Sequence, residues 1–318
     1  MTLSRTFKTF CSLAVIVLFV AGCGGSGGTS GGGSSSSGGS SSSSSDDGSE
    51  PAAGDDASSD DSSSADSASA DGSDEPISTE GWGHLKGRFL VTGAPEPAKV
   101  DVVGAAAAFC GKFPLVEESV VAGPNGELAN VLLWLYVGRG DEAPQPHESY
   151  AETADGEVVL DNMNCRFEPH VALLRTSQTL VIKNSDTVGH NTKIDSQNNP
   201  INPIIPPGQS LQEDGFNRPE RLPVGASCSI HPWMKGWLLI SDSPYMAKTE
   251  ENGKFLIENL PAGKHTFTVW QEKGGYVSDV TIDGKSKSWS RGRVEVIIKD
   301  GETTDLGDVT VAYSTLAN

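Results

Sequence analysis

Between Ser227 and Ile240 the chain reads S-C-S-I-H-P-W-M-K-G-W-L-L-I, and this stretch restricts the available folds more than any other. Cys228, His231 and Met234 fall within seven residues, so a thiolate, an imidazole and a thioether share one tight loop. Soft sulfur donors favour Cu(I), and imidazole suits both copper oxidation states, so the set selects copper over hard cations. It is one ligand short. A trigonal copper site with a long axial methionine needs a second histidine beside the thiolate, and the fold has to deliver it from elsewhere.

His190 is the candidate. It ends the segment Leu180–His190, in which a strand-like run, Leu180–Lys183, gives way to the turn formers Asn184, Ser185 and Asp186. The order is then histidine, a long interval, and Cys-x-x-His-x-x-Met. That order, with the short C-x-x-H-P-aromatic-M loop, resembles the cupredoxins, small blue copper proteins, and the loop is similar to that of the amicyanins in particular. The resemblance covers Leu180–Ile240. It implies a Greek-key β-sandwich holding one mononuclear type 1 copper on His190, Cys228, His231 and Met234. It also implies that Asn191 ties the two ligand loops together. Pro232 restricts the loop by fixing φ, and Pro232 with Trp233 is expected to form an apolar rim through which His231, as the solvent-edge ligand, passes electrons.

The start of the chain reads as targeting sequence. Arg5 and Lys8 precede an apolar run, Phe10 to Val20, too short to span a bilayer comfortably. Val20-Ala21-Gly22-Cys23 resembles a bacterial lipobox, which implies a signal peptide over 1–23 and lipidation of Cys23. An ordinary secretory signal is the alternative, and either places the mature chain outside the cytoplasm. Residues 24–80 are Gly, Ser and Asp with hardly a large apolar side chain, a composition expected to remain a disordered tether. Eleven acidic residues between Asp46 and Glu75 meet no Lys or Arg, so much of the net charge of −19 belongs to this spacer. Such acidity argues against nucleic acid as a partner.

Five cysteines remain to be assigned. Cys11 leaves with the signal peptide, Cys23 takes the lipid and Cys228 is the thiolate ligand. In an oxidising compartment Cys110 and Cys165 are most simply a disulfide. A second metal site using Cys165 with His170 is the alternative, while His84, His147 and His265 read as structural or surface residues.

From Gly81 onward short apolar runs recur between turn signals, among them Leu85–Val91, Asn130–Val137, Val171–Leu174, Leu180–Lys183 and Gly236–Ile240. An alanine-rich stretch, Gly104–Phe109, is the one short helical pattern. The fold class is therefore all-β. Residues 81–244 are expected to form the copper domain. In 245–318, the segment G-K-F-L-I-E-N-L-P-A-G-K-H-T-F-T-V-W resembles the carboxypeptidase-regulatory-like β-sandwich, which implies a smaller prealbumin-like spacer or binding module. The region before Leu180 resembles that of secreted bacterial proteins labelled by analogy as methylamine-utilisation proteins, a label that assigns no pathway. The Pro/Asn-rich segment 198–208 is expected to rim the metal site.

Enzymatic arrangements are missing from the pattern. Cys228 is flanked by Ser227 and Ser229, not by the histidines that couple a blue copper to a cluster, and a dinuclear centre needs a second loop cysteine. The chain thus reads as a non-enzyme. Electron transfer between extracytoplasmic redox partners, on a membrane-tethered protein, is the leading expectation. Copper holding or delivery, or a structural cell-envelope module, is the other.

Overall fold

The computed structural model describes residues 79–317. The signal segment, Cys23 and the tether through residue 78 lie outside the described residues. Strands dominate the described chain, as an all-β fold requires, and the alanine-rich stretch becomes a short 3-10 turn at Gly104–Ala108.

Four sheets stack in succession. The first runs, in spatial order, Lys254–Pro261, Trp82–Thr92, Thr303–Ala312, Asp279–Ile282 and Lys285–Ser288. The second contains Met246–Lys248, Leu132–Leu135, Gly263–Gln271 and Gly275–Tyr276, with Arg293–Ile298 also paired to Gly263–Gln271. The third contains Val171–Arg175, Lys235–Ser241, Val224–Ser227 and Lys193–Ile194, and the fourth Ser210–Glu213, Thr179–Asn184, Glu157–Met163 and Arg166–Glu168. Each gap between neighbouring sheets holds its own core. Leu85, Phe89 and Val309 of the first sheet meet Leu133, Phe267 and Val294 of the second. Leu132 and Trp270 of the second meet Val171 and Leu239 of the third. Leu174 and Leu238 of the third meet Leu160, Phe167 and Ile182 of the fourth.

The stacking accounts for the sequence pattern. Successive strand side chains point to opposite faces, so a strand covered on both sides must be apolar at every position. The two interior sheets show this: Val131-Leu132-Leu133-Trp134-Leu135, Val171-Ala172-Leu173-Leu174 and Trp237-Leu238-Leu239-Ile240 are unbroken apolar runs. Strands of the first and fourth sheets alternate in burial, as in Lys254–Pro261 and Thr179–Asn184. Gly236 is required by close approach, because a Cβ there would meet the His170 carbonyl oxygen at 3.0 Å and the Phe167 side chain at 3.2 Å.

The domain boundary expected at 244/245 does not separate the sheets. Trp82–Thr92, assigned by sequence to the copper domain, runs between Lys254–Pro261 (antiparallel) and Thr303–Ala312 (parallel) in the first sheet. Leu132–Leu135 likewise pairs with Met246–Lys248 and Gly263–Gln271. The third and fourth sheets, residues 157–241, are thus inserted within the chain of the first sandwich. The cause is non-local pairing: Trp82–Thr92 buries Leu85, Phe89 and Val91 on one face, and the strands that hydrogen-bond to it on either side lie more than 160 residues away.

Two outcomes follow from this topology. A fragment of residues 245–318 lacks the strand that joins Lys254–Pro261 to Thr303–Ala312, so it will remain unfolded by circular dichroism and show poor amide dispersion by NMR; cooperative unfolding of that fragment would contradict the pairing. In the described chain, Phe267→Ala in the fully buried first core will lower stability by about 3–5 kcal/mol in denaturant titration.

Candidate metal centre

The third sheet supplies the hairpin that carries three of the sequence-predicted ligands. Val224–Ser227 pairs antiparallel with Lys235–Ser241, with Ser227 opposite Lys235, and residues 228–234 form the turn between them. Two backbone hydrogen bonds close it: the Cys228 amide donates to the Met234 carbonyl (3.2 Å) and the Met234 amide to the His231 carbonyl (2.9 Å).

His190 arrives from the other direction. Thr179–Asn184 of the fourth sheet ends at a buried Asn184, whose side-chain amide donates to the carbonyls of Val188 and Ile205 and whose oxygen accepts from the Asp186 amide. That shapes the turn. His190–Asn191 then forms a short ribbon with Ile204–Ile205, so the 198–208 segment does form a wall of the site.

The structure brings His190, Cys228 and His231 together, all three buried. His190 Nδ1 and His231 Nδ1 are 2.9 Å apart, and Cys228 Sγ lies 4.0 Å from the first and 3.7 Å from the second. Donors roughly 2.0–2.3 Å from one shared ion span separations of this size. Met234 is buried in the same core, on the same hairpin. The donor chemistry therefore fits a copper ion: one thiolate sulfur and two imidazole nitrogens face a common point, with a thioether side chain packed nearby.

Asn191 links the two ligand loops. Its side-chain oxygen accepts the amides of Ser229 (2.8 Å) and Ile230 (3.3 Å) and lies 3.4 Å from Cys228 Sγ, while its amide donates to Asn202 Oδ1 and Ser229 Oγ. Sequence reasoning missed Asp186, reading it only as a turn former. Its Oδ2 accepts from His190 Nε2 at 2.9 Å and from the Cys165 amide, and its Oδ1 accepts from the Asn164 amide at 2.7 Å. A proton held on Nε2 leaves the lone pair on Nδ1, the atom that faces Cys228. The available signal was Asp186 four residues before the histidine.

The electrostatics of Asp186, Cys228 and His231 favour the metal-binding protonation states, whereas at His190 burial, which lowers the ring, is outweighed by Asp186 and Cys228, which raise it. Burial pushes the Asp186 carboxyl up, but hydrogen bonds from His190, Cys165 and Asn164 outweigh it and hold the group below the usual carboxylate range. Burial likewise raises the Cys228 thiol, yet the His190 ring and the backbone amides around the loop bring it below its ordinary value, toward thiolate. Burial and the neighbouring His190 both lower His231, favouring the neutral ring.

The remaining predicted residues have definite places. Cys110 and Cys165 form a disulfide with Cα atoms 5.6 Å apart, so Cys165 has no thiolate for the alternative site with His170. That ring instead pairs with Glu272. Pro232 is exposed, whereas Trp233 is half-buried with its indole N–H donating to the Cys165 carbonyl at 3.2 Å. The exposed apolar rim is supplied more by Ile230 and Ile204, which are 53% and 72% exposed. His231 is 4% exposed and His190 0%, so the edge nearest solvent belongs to the loop histidine. His84 accepts from the Asn259 amide, His147 caps a 3-10 turn, and His265 bonds the Pro261 carbonyl; all three act structurally. Among the described residues no helix is long and apolar enough to cross a membrane.

No family model and no curated protein matches the chain. The solved structures it is similar to include a Cu-containing nitrite reductase, a purple cupredoxin and amicyanin. A Cu-containing nitrite reductase from Thermus scotoductus matches at 23% identity and TM-score 0.25, over 34% of this chain and 25% of that one. A purple cupredoxin from Nitrosopumilus maritimus matches at 24% identity and TM-score 0.21, over 27% of this chain and 100% of its own. A variant of amicyanin in the Cu(I) state matches at 20% identity and TM-score 0.24, over 29% of this chain and 88% of its own. The chain thus spans a quarter of the nitrite reductase it resembles.

Proposed function

We propose that this chain is a type 1 copper protein of the cupredoxin kind, with no catalytic activity of its own, that passes single electrons between extracytoplasmic redox partners while a lipid on Cys23 tethers it to a bacterial membrane. The observation that carries the reading is the convergence of His190 Nδ1, Cys228 Sγ and His231 Nδ1, all buried and all within 4.8 Å of one another. A bound copper ion would supply the one-electron couple.

The protein's own residues do the rest. Asp186 holds the His190 ring and Asn191 holds the Cys228 loop, so the donors stand in place before an ion enters. Preformed donors leave little rearrangement to accompany electron gain or loss. The apolar packing around Cys228, which includes Phe216, Leu238 and Met234, keeps water from the sulfur. The His231 edge, ringed by Ile204, Ile230 and Pro232, offers the shortest route to a docked partner, and an uncharged rim suits a transient apolar contact.

Reconstitution with Cu(II) tests the reading. The loaded chain will show an intense thiolate-to-copper band in the visible and a reversible potential, and Cys228→Ser will abolish the band; a colourless chain that binds copper without a reversible couple would favour copper holding or delivery instead. Asp186→Asn removes the carboxylate behind His190 and will weaken copper binding about 10–100-fold, read by competition with a chelator, while keeping the band. Ile230→Glu will leave the visible spectrum unchanged and slow electron self-exchange several-fold, measured by NMR line broadening.

A further inference from the structure

Among the described residues, one buried side-chain nitrogen has no hydrogen-bond partner, Nδ1 of His170. The ring sits in the turn between Arg166–Glu168 and Val171–Arg175, with 9% of its side chain exposed. Its other nitrogen, Nε2, is 3.0 Å from Glu272 Oε2, at the end of Gly263–Gln271 in the second sheet. Glu272 is itself 7% exposed in its side chain, so this is a buried pair across the seam between the two sandwiches. Buried polar atoms are ordinarily satisfied, and one left bare is destabilising.

His170 is part of the lining of a cavity of about 140 Å³, together with Glu118, Trp233 and Trp237. Glu118 Oε2 lies 3.9 Å from His170 Nδ1. Its other oxygen, Oε1, accepts from Arg166 Nη1 at 3.0 Å, which fixes which oxygen turns toward the ring. Exposed Glu117 and Lys235 stand on the rim, which opens the cavity to solvent.

We propose that His170 Nδ1 and Glu118 Oε2 bind a borderline divalent metal ion of the zinc type, with water completing the coordination. A ring N–H donated to a carboxylate, the other nitrogen left as a lone pair, is the arrangement that orients a metal-ligating histidine; here Glu272 is that carboxylate. The spacing is suitable: two donors each about 2.1 Å from an ion at the tetrahedral angle lie about 3.4 Å apart, so a closure of about half an ångström completes the pair. The cavity has room for the ion and its waters. Burial by itself would lower the His170 ring, yet Glu272 and Glu118 outweigh it and raise it, and burial raises the Glu118 carboxyl, so protons compete with the ion for both donors. The ion would join Glu118 of the segment that precedes the insert to His170 within it, on a ring already held by the first sandwich through Glu272. It would therefore clasp the seam where Trp237 packs on Trp270.

The test is zinc titration of the full chain after its Cys228 centre has been filled with Cu(II). Calorimetry is expected to find one further zinc per chain, lost in His170→Gln and weakened about 10–100-fold in Glu272→Gln. Glu118→Gln, which leaves the His170–Glu272 pair intact, will also weaken it and guards against a folding defect in the histidine variant. In Cys228→Ser, where no blue centre can form, zinc will still shift the Nδ1 resonance of His170 in ¹⁵N NMR, so this site succeeds or fails independently of the copper reading. Zinc uptake unchanged in His170→Gln overturns the proposal. So does a His170 ring that remains doubly protonated at neutral pH and does not respond to zinc, the signature of an imidazolium bridging Glu272 and Glu118.

Discussion

Burial of Lys235–Ser241 on both faces is the constraint on which the rest of the molecule depends. Leu238 and Ile240 fill the core shared with the fourth sheet, while Trp237 and Leu239 fill the seam shared with the second. A strand gripped from two sides cannot shift register without moving its whole apolar set to the wrong face. That fixity passes to the hairpin it ends. Cys228, His231 and Met234 owe their positions to the pairing of Ser227 with Lys235 and to the two backbone bonds that close the turn.

The donors converge because the two ligand loops are tied by polar groups that have almost no other role. Asn191 accepts the amides of Ser229 and Ile230, and Asp186 takes the His190 ring together with the amides of Asn164 and Cys165. Cys165 in turn is joined to Cys110 and offers its carbonyl to Trp233. One residue therefore touches both supports of the centre, through Asp186 on the His190 side and through Trp233 on the His231 side. Buried networks of this kind are costly when broken, because each freed group is left desolvated. The disulfide next to them restrains the same region.

The insertion of one sandwich within the other has a physical consequence for the seam. Leu132, Val171, Leu239 and Trp270 make a third, smaller core there, and His170 with Glu272 adds a buried polar pair at the edge of the same contact. The two sandwiches are thus joined by packing as well as by chain connections, and the 228–234 turn lies close to that joint through Trp233, which lines the His170 cavity together with Trp237.

Much of this was legible in the residues and some of it could not be. Donor types are a local property, so Cys228, His231, Met234 and the upstream His190 could be singled out from side-chain chemistry and order; strand-like runs and the all-β class followed from patterns of a few residues. The unbroken apolar runs already carried the double-sided burial, though nothing local said which sheets would cover them. Asp186 escaped notice because a turn-forming aspartate and a carboxylate aimed at an imidazole look alike until the fold places its oxygen beside His190 Nε2. The partner of Trp82–Thr92 escaped for a related reason: strand pairing is a contest among all apolar rows of matching register, and the winners lie at the far end of the chain. The sequence by itself determined which atoms could hold an ion and that strands would carry them. Only the tertiary structure decided which strands are neighbours, because hydrogen-bonded pairing and core filling are settled between distant segments and not within them.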